Sequence, residues 1–172
     1  AGTTGLDPEQ EAEIEKATRH VAVVRAANMS VGVTVLAALT EQVAGMLGPD
    51  YDIEVLEMHH RHKIDAPSGT ALALGTAAAA GRKVALDDVK QAVRDGHTGA
   101  RPSGEIGFAT LRGGDVAGEH SVIFATDGER LGLQHKASSR RVFAGGAVRA
   151  ALWTRDRPAG LYNMRHVLGF EN

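Results

Sequence analysis

Residues 57–70 read Glu-Met-His-His-Arg-His-Lys-Ile-Asp-Ala-Pro-Ser-Gly-Thr, the most concentrated chemistry in the chain. Three histidines, an arginine and a lysine fill positions 59–63, and a turn-forming Asp65-Ala66-Pro67 leads into Ser68-Gly69-Thr70. Extended chain puts alternate residues on one face, so Glu57 and His59 point together and His60 points away. Lys63 lies four residues past His59, within reach of it if the chain turns. Ser68 to Thr70 open an alanine-rich helical run, and a helix start offers free N–H groups and a partial positive charge, a natural anion cradle. Gly69 would let an anion approach the backbone closely. Proton donors beside such a cradle suit a small carboxylated substrate that must receive a proton.

Plainer readings compete. A cluster of His, Arg and Lys is also what a solvated basic loop looks like. Pro-Ser-Gly-Thr is also an ordinary helix cap. A zinc site is a third reading, but His-His-x-His lacks an i, i+4 helical pair or a cysteine partner, and Lys63 would repel a cation. No metal is therefore expected.

The elements that must position these residues follow from periodicity. Asp7, Pro8 and Gln10 form a helix-start pattern, and Val21 to Arg25 read as a short buried strand. Ser30 can cap a helix over Val31–Leu47, ended by Gly48-Pro49-Asp50. "YDIEVLEMH" reads as a strand running into the histidines, followed by a helix over 68–80 and a short amphipathic helix over 86–94. Residues 95–104 form a loop. "GEIGFATLR", "GEHSVIFAT" and "ERLGLQHKA" are then three strand-like runs. Asp127-Gly128 is a hairpin signal between the last two, and Gly113-Gly114-Asp115 is expected to turn the first pair. "SRRVFAGGAVRAALWTR" reads as a helix before an irregular tail. The plan is α/β: an open mixed sheet with flanking helices. The opening unit looks incomplete, because Val21, Val23 and Val24 want neighbouring strands that the chain is not expected to supply.

Composition narrows the function. The 172 residues suffice for one domain or one and a half. A net charge of −2 with no basic stripe argues against nucleic acid. No apolar run is expected to span a bilayer, so no membrane partner is expected either. The lack of cysteine rules out thiolate chemistry and fits a reducing cytoplasm.

The stretch 57–71 closely resembles the signature of the 4-hydroxy-tetrahydrodipicolinate (dihydrodipicolinate) reductase family, Glu-x-His-His-x-x-Lys-x-Asp-Ala-Pro-Ser-Gly-Thr-Ala. "GTTG" at 2–5, "AANMSVGV" at 26–33, "GHTGAR" at 96–101, "GEIGFATLRGGDVAGEH" at 104–120 and "HKASSR" at 135–140 resemble it too, in order and spacing. The resemblance implies reduction of a cyclic dicarboxylic imine with NADPH or NADH, in lysine and diaminopimelate biosynthesis, by a cytoplasmic homotetramer. By position, His59 resembles the family's proton donor and Lys63 the second donor. His60, Gly69 and Thr70 resemble substrate ligands. Gly2, Thr3 and Thr4, and Ala26, Ala27, Asn28 and Met29, resemble cofactor-contacting loops. The family's Rossmann unit opens with a glycine-rich phosphate loop after a strand, and no such loop occurs here. The chain is thus expected to hold a remnant of the nucleotide domain (1–29), a substrate-binding and tetramerisation domain (30–140), and a C-terminal helix and tail (141–172) returning toward the nucleotide domain. The alternative expectation is a truncated, non-catalytic fragment that keeps only dicarboxylate binding and oligomerisation. On either reading this chain alone should bind the nucleotide poorly.

Overall fold

The fold is described from a computed structural model, for residues 1–2 and 6–170. The chain divides into two compact units, one of residues 1–35 with 140–172 and one of residues 36–139.

The second unit is built on a five-stranded sheet in the order β3-β4-β2-β5-β6. Its strands are β2 (Asp52–His59), β3 (Lys90–Gln91), β4 (Ile106–Arg112), β5 (Gly118–Thr126) and β6 (Glu129–Ala137). β2 runs parallel to β4 and antiparallel to β5. A parallel pair needs a crossover, and α3 (Gly69–Gly81) with the short α4 (Leu86–Val89) provides it. The open mixed sheet with helices therefore stands, and Asp127-Gly128 makes the expected two-residue turn between β5 and β6, with Gly128 at φ +89°.

One face of this sheet is apolar by strict alternation. Ile53 and Val55 on β2, Ile106 and Phe108 on β4, and Val122 and Phe124 on β5 pack with Leu36 and Ala44 of α2 (Val31–Leu47) and with Leu74 and Ala78 of α3. Each such side chain contributes roughly 1.5–3 kcal/mol by leaving water. The two helices approach closely because glycines face each other. A Cβ on Gly45 would lie 3.1 Å from the Gly81 carbonyl oxygen.

The first unit holds α1 (Pro8–Ala17), β1 (Ala22–Val24), α5 (Arg141–Trp153), β7 (Gly160–Tyr162) and α6 (Met164–Leu168). Asp7 and Gln10 form the expected capping box on α1. Val24, Ala150, Met164 and Val167 make the small core of this unit.

Four expectations need correction. Gly113 to Asp115 do not turn a β4–β5 hairpin, because β2, rich in β-branched and apolar residues on its inner face, lies between those two strands. Residues 86–94 hold only one helical turn before β3, which pairs parallel with the start of β4. The tail is not irregular: β7 pairs parallel with β1 and gives its valines one neighbour, and α6 is capped by Asn163. Finally, Val31–Asp50 is long and apolar enough to cross a membrane by length and composition. Its Leu36, Ala38, Thr40 and Ala44 are buried, as in a core helix.

Candidate active site

Topology gathers the polar residues at one end of the sheet. Parallel pairing aligns the carboxyl end of β2 with that of β4, so His59 sits opposite Arg112. Antiparallel pairing brings the start of β5 to the same end, with His120 opposite Glu57. β6 adds His135 opposite His120. Ligands in α/β sheets gather at the carboxyl ends of parallel strands.

Glu57 is the centre. Its side chain is 1% exposed, on the same face as the apolar core. Arg112 grips it with two bonds, Nη1 to Oε2 at 2.9 Å and Nη2 to Oε1 at 3.0 Å. The Ser68 N–H donates to Oε1 at 3.0 Å, and His59 Nδ1 meets Oε2. Burial alone would raise the Glu57 carboxyl, but the hydrogen bonds from Arg112, His59 and Ser68 outweigh it and hold the group below its usual range. Glu57 is thus a carboxylate, and bidentate pairing with a guanidinium is the strong form of that bond.

His59 is almost fully buried, and its ring meets His120 edge to face with centroids 5.0 Å apart. His120 Nε2 lies 3.3 Å from Ser68 Oγ, which in turn caps α3 by accepting from the Ala71 N–H. Burial, then the neighbouring His59, push the His120 imidazole down to about 4. Donor atoms of Glu57, His59 and His120 lie within 4.8 Å of one another, a grouping that can suggest a metal. Arg112 already occupies both oxygens of that carboxylate, so a cation there would face a guanidinium.

The basic loop after β2 is anchored by its backbone. The His60 N–H donates to Val116 O at 2.8 Å, and Arg61 N–H to Gly114 O at 3.2 Å. Lys63 pairs with Asp65 at 2.7 Å rather than with His59. His60 is half-buried, with its ring 6.3 Å from that of His62. Gly69 and Thr70 are the first two residues of α3, and a Cβ on Gly69 would meet nothing within 4 Å. The strand-end imidazole and the helix start therefore stand together, linked by Glu57.

In the first unit, Gly2, Ala27, Asn28 and Met29 line an open cleft of about 780 Å³ with Phe143 and Ala147 of α5. Ala26 does not line it, and its N–H donates to Ala1 O at 3.1 Å. Thr3 and Thr4 lie outside the described residues.

Arg112 and His120 escaped the sequence reading as parts of the site. A signal was present. Arg112 shares parity with Ile106 and Phe108, and His120 with Val122 and Phe124, so each is a polar residue at a core position.

Comparison with known proteins gives a consistent answer. The family described as "Dihydrodipicolinate reductase, C-terminus" matches residues 32–168. A 4-hydroxy-tetrahydrodipicolinate reductase of Dinoroseobacter shibae is 61% identical over 168 residues, covering 98% of this chain and 62% of that protein. One of Methylocella silvestris is 61% identical over the same shares. The chain thus spans about 62% of the length of these curated relatives. A solved structure titled dipicolinate-bound dihydrodipicolinate reductase, from Paenisporosarcina sp. TG-14, shares the fold with a TM-score of 0.70. It is 22% identical, with 94% of this chain and 61% of that one covered. A match that runs from α2 through the whole sheet to α6, at such identity to named reductases, makes this chain a member of the dihydrodipicolinate reductase family.

Proposed function

We propose that the protein containing this chain reduces 4-hydroxy-tetrahydrodipicolinate to tetrahydrodipicolinate with NADPH or NADH, as a step of lysine and diaminopimelate biosynthesis. The observation that carries this reading is a histidine at a strand end, tied through one carboxylate to the N-terminus of α3. Such a site offers a proton and an anion cradle together, which a dicarboxylate needs when a ring carbon must be protonated.

His59 is the proton donor and Lys63 the second donor, placed near developing charge. His60 and the N–H groups of Gly69 and Thr70 hold a carboxylate. The relative titled as dipicolinate-bound is consistent with a small dicarboxylate ligand. Residues 1–29 belong to the nucleotide-binding domain, together with 141–172, whose β7 pairs with β1. Residues 30–140 form the substrate domain.

The cleft of the first unit suits one end of a nicotinamide cofactor. Its volume falls in the range of small-molecule sites, and Gly2, Ala27 and Ala147 leave room for a flat ring. Gly2, Thr3, Thr4 and Ala26 to Met29 would hold that end. When bound, the nicotinamide supplies the hydride. The chain's own residues bind the carboxylates, orient the ring and deliver the proton.

The sheet face opposite the core also fits a homotetramer. Leu56, Met58, Leu111 and Ile123 lie on it, and Leu111 is 47% exposed. The test of the reading is an assay of the complete protein with 4-hydroxy-tetrahydrodipicolinate, following NADPH or NADH oxidation. Turnover supports it. A complete protein that binds pyridine-2,6-dicarboxylate but oxidises neither cofactor would favour a binding-only role.

A further inference from the structure

We propose that Glu57 is a positioning residue for the proton donor: it fixes the tautomer of His59 and ties the imidazole to the helix start that holds the substrate's carboxylate. The inference rests on the reading of His59 as the proton donor, and goes beyond it.

An ionised carboxylate can only accept hydrogen bonds. Glu57 is ionised because Arg112 pairs with both of its oxygens. The His59 nitrogen against Oε2 is Nδ1, so Nδ1 carries the hydrogen. Nε2 is then the nitrogen that gains and loses the transferable proton. In the transfer, the Nε2–H bond breaks, its electron pair stays on Nε2, and the substrate's enamine carbon takes the proton. The imidazole is left as the Nδ1–H tautomer, still bonded to Glu57, and needs no ring flip to be recharged from water.

Glu57 Oε2 faces His59, while Oε1 accepts from the Ser68 N–H at 3.0 Å and from Thr110 Oγ1 at 3.4 Å. Ser68 is the N-cap of α3. One rigid carboxylate therefore sets the spacing between acid and anion cradle. Arg112 completes the frame by donating to Asp65 O at 2.7 Å, which pins the intervening loop. A misplacement of even 1 Å between reacting groups can cost a hundredfold.

The charged and titratable groups around His59 are Glu57 on its own strand, Arg112 of β4, His120 of β5 with His135 of β6 beyond it, and Lys63 and Asp65 on the following loop. Glu57 is the one in direct contact with the ring nitrogen.

The test uses the complete enzyme with Glu57→Gln and His59→Ala in parallel, and NMR of the histidine rings. In the wild type, neutral His59 should be the Nδ1–H tautomer. Glu57→Gln should lower kcat about a hundredfold and leave KM within about threefold. A wild-type Nε2–H tautomer overturns the proposal without any variant. So does a Glu57→Gln enzyme that is merely less heat-stable, with kcat unchanged. If His59→Ala itself keeps full turnover, the proton-donor reading fails first. If His59→Ala is inactive while Glu57→Gln is not, only the positioning role fails.

Discussion

His120 stands edge-on to His59 with ring centroids 5.0 Å apart, and touches Ser68 through its other side. It is 4% exposed, and burial with the neighbouring His59 lowers its imidazole to about 4. A neutral ring there adds no positive charge to the site at neutral pH.

That burial makes stability pH-dependent. The folded value is below the unfolded value of about 6.5, so between about 4 and 6.5 the unfolded chain binds more protons. Stability is therefore full above 6.5 and declines as pH falls toward 4. Linkage bounds the loss from this residue at about 3 kcal/mol. His120→Phe should flatten that part of the profile, measured by urea denaturation at pH 7 and pH 5. Equal slopes in the two proteins would sink the assignment.

Arg112 should matter to stability as well as to the site. Glu57 is 1% exposed, and Arg112→Ala leaves its buried charge without the guanidinium that pairs with both of its oxygens. Breaking a buried pair costs roughly 3–5 kcal/mol. Glu57→Gln combined with Arg112→Ala should recover part of that loss, since no unpaired charge remains. Denaturant titration of the single and double variants checks this coupling.

Gly118 has φ +151°, and a Cβ there would lie 3.1 Å from His59 Nε2. Gly118→Ala should strain the backbone by about 1–3 kcal/mol and crowd His59 Nε2, the nitrogen proposed to transfer the proton. Thermal melting should show the first effect and kcat the second. Turnover at wild-type level would mean that this nitrogen needs no space.

Gly69 gives a cleaner separation of binding from folding. A Cβ there meets nothing within 4 Å, so Gly69→Val has space in the fold. The new side chain instead covers the helix start. KM for the dicarboxylate should rise at least tenfold, with the melting temperature little changed. An unchanged KM would place the carboxylate elsewhere.

Much of this was legible beforehand. The alternation in "DIEVLEMH" and the Ser68 cap fixed β2 and α3 closely, because both are local signals. Glu57 and His59 were placed on one face for the same reason. Pairing order was not legible. Nothing local to 104–120 says that β2 lies between β4 and β5, since that depends on the long crossover over residues 60–105. Arg112 and His120 reach the site only through that order. β7 was missed because three residues with a glycine carry almost no periodic signal.

The central claim is that His59 and Lys63 deliver the proton, and kcat of the complete enzyme with His59→Ala and with Lys63→Ala tests it most directly. A lost general acid should reduce turnover by roughly 10²-fold or more, with a smaller change in KM. If both variants kept kcat within about threefold of wild type, far short of that loss, the assignment would be contradicted and the cluster would be a solvated basic loop.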